Sequence, residues 1–96
     1  MDQKKRELIN HLRKRQNILN KKLTRLLLVR FDLSNRILEL KRRSGAPMRD
    51  RARERSILRN AAHEANSPQE RKFLIRVFRS ILEETIQNKI QDDVNS

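Results

Sequence analysis

Cysteine, tryptophan and tyrosine are absent from this chain, glycine occurs once, at Gly45, and proline twice, at Pro47 and Pro68. Without cysteine there is no disulfide, no thiolate nucleophile and no thiolate metal ligand. The scarcity of glycine, proline and aromatic residues leaves few turn signals, so the 96 residues read as a single all-helical domain, 1–96. No apolar run approaches the roughly 20 residues of a membrane span. The segment Met1-Asp2-Gln3-Lys4-Lys5-Arg6-Glu7 is charged and lacks the apolar stretch of a secretory signal, so a soluble cytoplasmic protein is expected. Conventional catalytic sets are missing too. His11 and His63 lack metal-ligand spacing and read as surface residues, there is no glycine-rich phosphate loop, and no serine has a plausible base. An enzyme built on this chain would work by positioning and electrostatics, with no nucleophile, metal or cofactor expected.

What is present is positive charge. Lysine and arginine number 24 against 12 aspartate and glutamate, a net charge of +12 at pH 7. Residues 1–45 hold 14 of these cations and 4 carboxylates, whereas residues 73–96 hold 3 and 4. Such a balance implies an anionic partner without naming one. Most of these cations fit a solvated helix face, and a nucleic-acid footprint is the sharper alternative.

Leucine recurs every seven residues at Leu12, Leu19, Leu26, Leu33 and Leu40, and the positions three before them are Ile9, Gln16, Leu23, Arg30 and Ile37. With no glycine or proline between Asp2 and Ser44, the pattern predicts one helix over about 4–42, roughly 58 Å long at 1.5 Å per residue. A compact 96-residue globule has a radius of gyration of only about 12–13 Å. A helix that long cannot bury its stripe against its own chain, so pairing with a second copy is expected.

Ser44-Gly45-Ala46-Pro47-Met48 ends that helix, with glycine as C-cap. Asp50 suits the N-cap of a second helix, about 50–64, with Ile57, Leu58, Ala61 and Ala65 on its apolar side. Ser67-Pro68-Gln69-Glu70 reads as a capping box with proline in the first helical position. The third helix is expected to run to about 91, with Phe73, Leu74, Val77, Phe78, Ile81, Leu82 and Ile86 at helical spacing.

The apolar seam also carries cations. Arg30 occupies a seam position, Arg13 follows Ile9 by one turn, and Lys41 follows Ile37 by one turn. A buried cation costs several kcal/mol unless neutralised, so three on one seam suggest a pocket for a small anion. Arg30 and Lys41, eleven residues apart, share a face. Arg13 lies about 25 Å from Arg30 along the axis, too far for one small ligand within a single chain. In an antiparallel dimer, Arg13 of one chain approaches Arg30 of the other. The plainer alternative makes Arg13 a surface residue and Arg30 a register-setting polar residue of a coiled coil. The run Arg49-Asp50-Arg51-Ala52-Arg53-Glu54-Arg55 is either an exposed charged helix start or a place where free backbone N–H groups, Arg53 and Glu54 face a ligand. Thr85 and Lys89 continue the stripe of the third helix at i, i+4.

Together these residues resemble the all-helical class of chorismate mutases, small intertwined homodimers of three helices. The resemblance covers nearly the whole chain: Leu12-Arg13, then Leu23, Leu26, Leu27 and Arg30, Lys41 eleven residues on, Pro47-Met48-Arg49-Asp50 with Arg53-Glu54, and Arg76-Val77-Phe78 leading to Ile81-Leu82-Glu83-Glu84-Thr85. It implies conversion of chorismate, a dianion, to prephenate, breaking a C–O bond as a C–C bond forms. By position, Arg13 of the partner chain and Arg30 would clamp carboxylates, while Lys41 would hold the ether oxygen and a carboxylate. Glu54 and the backbone N–H of Asp50 would hold the ring hydroxyl, and Arg53 and Thr85 would complete the carboxylate contacts.

The chain departs from the family at Lys89, where glutamine or glutamate usually meets the ether oxygen, and at Gln16 and Asn20 in the seam. It is also unusually basic. Isochorismate pyruvate-lyase activity on the same fold is an alternative, disfavoured by the presence of both Asp50 and Glu54. A non-catalytic basic nucleic-acid-binding module is another, disfavoured by Arg30 in the seam and by the apolar face of the third helix; no specific nucleic acid and no membrane partner are expected. A regulatory domain that kept the fold without the activity is a third.

Overall fold

The computed structural model describes residues 2–95, with side chains as far as Ile86. Three helices follow in the expected order: α1 (Gln3–Ser44), α2 (Arg51–His63) and α3 (Pro68–Asn95), with no strand among the described residues.

Each boundary has a local cause. Asp2 caps α1, its Oδ1 accepting the N–H of Lys5 at 2.8 Å. At the other end Gly45 takes φ 74°, a left-handed conformation that costs a glycine nothing. The Gly45 N–H then donates to the Arg42 carbonyl at 3.4 Å and the Ala46 N–H to the Lys41 carbonyl at 2.9 Å. This pair of bonds is the Schellman closure of a helix. Asp50, in extended conformation, caps α2 by accepting the Arg53 N–H at 2.9 Å. Ser67 Oγ accepts the Glu70 N–H at 3.1 Å, as a capping box requires. The return bond differs from expectation: Glu70 Oε1 accepts from the N–H of Asn66, at 2.7 Å, one residue earlier than the cap. α3 continues past the expected end near residue 91.

The chain divides into two units, Met1–Leu33 and Ser34–Ser96. The first consists of α1 alone. Among its described residues only Ile9 and Arg30 are half-buried, and all others are exposed. The second holds the end of α1 together with α2 and α3, and within it α2 packs against α3. Its buried side chains come one from each helix: Leu38, Ala61 and Leu82. Ile57, Leu58, Ala65, Leu74, Phe78, Ile81 and Ile86 are half-buried. Phe73, expected on the apolar face of α3, is 64% exposed, and Val77 is also exposed.

Candidate active site

Arg13 and Arg30 both lie on the helix of the first unit, Arg13 exposed and Arg30 half-buried. Their 17-residue separation keeps them about 25 Å apart at helical rise. Lys41, half-buried, occupies the last turn of α1 in the second unit. Its carbonyl receives the N–H of Ala46 and, at 3.1 Å, the hydroxyl of Ser44. The backbone that carries Lys41 is thus fixed from both sides of the helix end, where cations are favoured by the helix dipole.

Asp50 is exposed and its carboxylate is occupied in capping α2. The first N–H groups of a helix such as α2 have no acceptor within the helix itself. Arg53 is exposed, whereas the side chain of Glu54, one residue further, retains only 15% of its accessible surface. Thr85 is half-buried on α3 and donates its hydroxyl to the Ile81 carbonyl at 2.9 Å. The side chain of Lys89 lies outside the described residues.

Glu54 is held by a residue the sequence reading did not assign to the site. Arg49 donates from Nε to Oε2 of Glu54 at 3.0 Å and from Nη2 to Oε1 at 2.9 Å. The same Nη2 donates to Oε1 of Glu83 on α3. Two carboxylates raise the guanidinium pKa above its ordinary value, the hydrogen bond donated to Glu54 contributing most and that donated to Glu83 next. Each Glu54 oxygen takes one N–H and keeps lone-pair capacity to accept a hydroxyl. The sequence signal for this was the placement of Arg49 immediately before the cap; its link to Glu83, 34 residues away, had none.

Some of the cations have carboxylate partners within the chain. Arg42 and Arg43 pair with Glu39, and Arg49 with Glu54 and Glu83. Among the described residues, Arg13, Arg30, Lys41 and Arg53 form no side-chain ion pair or hydrogen bond with a carboxylate. Glu54, with lone pairs left over beside Arg49, can accept a neutral donor. No cluster of three histidine, cysteine or carboxylate side chains able to hold a metal ion occurs among the described residues.

The family model for chorismate mutase type II matches residues 12–90. The chain belongs to the chorismate mutase type II family. It is therefore placed among isomerases that convert chorismate to prephenate. Neither a curated protein nor a solved structure matches the chain. The family match begins one residue before Arg13 and ends one after Lys89, so it contains every residue assigned to the site from the sequence.

Proposed function

We propose that the protein catalyses the rearrangement of chorismate to prephenate as a homodimer with two equivalent sites, each completed by Arg13 of the partner chain. The observation that carries the reading is the family match over 12–90, which spans the whole candidate set. Arg13 and Arg30 clamp the substrate carboxylates. Lys41 meets a carboxylate and the ether oxygen, where negative charge grows as the C–O bond breaks. Glu54 and the backbone N–H at Asp50 hold the ring hydroxyl, Arg53 and Thr85 add carboxylate contacts, and Lys89 stands beside the ether oxygen.

No proton needs to move in this reaction. The site selects the folded conformer, in which the carbon atoms to be joined are close, and offers cations placed in advance where charge develops. Interactions at the ether oxygen strengthen in the transition state and therefore accelerate the step, while those at the hydroxyl are present throughout and mainly hold the substrate.

The exposed stripe of α1 supports the dimer. Leu12, Leu19, Leu23, Leu26, Leu33, Ile37 and Leu40 are all at least 46% exposed in the single chain. Each half-exposed leucine forgoes about 1 kcal/mol of burial, so the stripe as a whole is worth several kcal/mol to a structure that covers it. A helix with no buried side chain, as in the first unit, also has little to hold it in water on its own. A second copy supplies the covering surface and, in antiparallel pairing, brings its Arg13 to the Arg30 region. The single functional domain is then 1–96 taken twice, in keeping with a cytoplasmic enzyme of aromatic biosynthesis.

The test is to follow chorismate loss and prephenate formation with purified protein in EDTA. Conversion well above the spontaneous rate supports the reading. No rate above background would point to a regulatory or nucleic-acid-binding module instead, and activity abolished by EDTA would refute the mechanism.

A further inference from the structure

Arg49 precedes the N-cap of α2, yet its guanidinium reaches past the cap to Glu54 and across to Glu83 on α3. The Glu54 contact is bidentate, at 3.0 and 2.9 Å, which fixes the plane of the carboxylate as well as its position. Glu54 is the most enclosed of the three, while the Glu83 side chain keeps half its surface exposed. A partly solvated link of the second kind adds little to stability. Its geometric effect is larger: it holds Arg49 from the α3 side, so the carboxylate that Arg49 grips is referenced to two helices at once.

We infer that Arg49 is a positioning residue for Glu54, orienting the carboxylate that receives the substrate hydroxyl, with Glu83 as its anchor on α3. This rests on the reading of Glu54 given above. The fork matters because carboxylate rotation about its last bond is otherwise soft. With one lone pair on each oxygen committed to Arg49, the remaining pairs point in defined directions. Lysine in the same place would keep the charge but lose the planar fork. Because the hydroxyl contact exists in both the bound and transition states, poor orientation weakens substrate binding and leaves the bond-breaking step alone.

The experiment is a kinetic double-mutant cycle with Arg49→Lys, Glu54→Gln and the pair, and a parallel cycle using Glu83→Gln. Arg49→Lys is expected to raise KM about fivefold to tenfold with kcat within about twofold, and Glu83→Gln to raise KM about twofold to threefold. On the Glu54→Gln background both effects should vanish, since the group being oriented has changed. Additive effects on KM, or a fall in kcat with KM unchanged, would reduce Arg49 to a structural link and overturn the inference. If Arg49→Lys fails to fold by circular dichroism, the Glu83→Gln cycle decides by the same criterion. A wild-type chain without chorismate turnover overturns the site reading and the inference together, whereas additivity in an active enzyme overturns the inference alone.

Discussion

The backbone N–H of Ala46 donates to the carbonyl of Lys41 at 2.9 Å, so the helix closure of α1 is built on the residue that carries its last candidate cation. The closure depends on Gly45 at φ 74°. A Cβ there meets no neighbouring atom within 4 Å, so substitution is opposed by backbone conformation alone. Gly45→Ala is therefore expected to cost about 1 kcal/mol, and Gly45→Asn less, because asparagine tolerates the left-handed region. Urea unfolding checks this, and equal midpoints for wild type and alanine would contradict it.

Removing the cation that meets developing charge, Lys41, or the one that clamps a substrate carboxylate, Arg30, should be more damaging than removing a neutral hydroxyl contact. Arg30→Ala and Lys41→Ala are each expected to lower kcat/KM by at least about 10²-fold, and Glu54→Ala by less. Steady-state kinetics on the three variants tests the order. Small and equal effects would put the pocket elsewhere on the chain.

The hydroxyl proton of Thr85 is already given to the Ile81 carbonyl at 2.9 Å, the back-bond that threonine commonly makes within a helix. To donate to a substrate carboxylate it must exchange one acceptor for another, so its net contribution is small. Thr85→Val is expected to change kcat/KM by less than about tenfold. A loss as large as that of Lys41→Ala would show that the hydroxyl turns to the substrate at a net gain.

Much of this arrangement was legible in the sequence because its causes are local. Asp50, Ser67 and Gly45 each act within a few residues of their own position, and the caps they were expected to form are present. The three-helix order followed from the same signals. Where expectation and structure differ, the cause is tertiary. The hydrogen bond from Arg49 to Glu83 requires knowing which turn of α3 lies beside the start of α2, which no spacing within either helix encodes. Phe73 and Val77 satisfy the helical period of α3 but remain exposed, since periodicity identifies an apolar face without saying what covers it.

Lys89 is the one candidate at which this chain leaves the pattern of the family it resembles. An ammonium beside the ether oxygen would supply a donor, but it would also stand near the ammonium of Lys41. Lys89→Gln removes the like charge and keeps a donor, so kcat/KM is expected to hold or rise. Lys89→Ala removes the donor and is expected to lower it about 10²-fold. If both variants match the wild type, Lys89 faces solvent and has no part in the site.

The proposed sharing of each site between two chains is tested most directly by mixing two inactive chains. Arg13→Ala and Lys41→Ala are each expected to damage both sites of the proposed homodimer. In a mixed dimer one site receives both lesions and the other receives intact Arg13 from one chain and intact Lys41 from its partner. After unfolding and refolding equal amounts together, statistical pairing in a symmetric dimer predicts chorismate mutase activity of about a quarter of wild type. Activity no greater than the average of the two parental variants would contradict a site built from both chains.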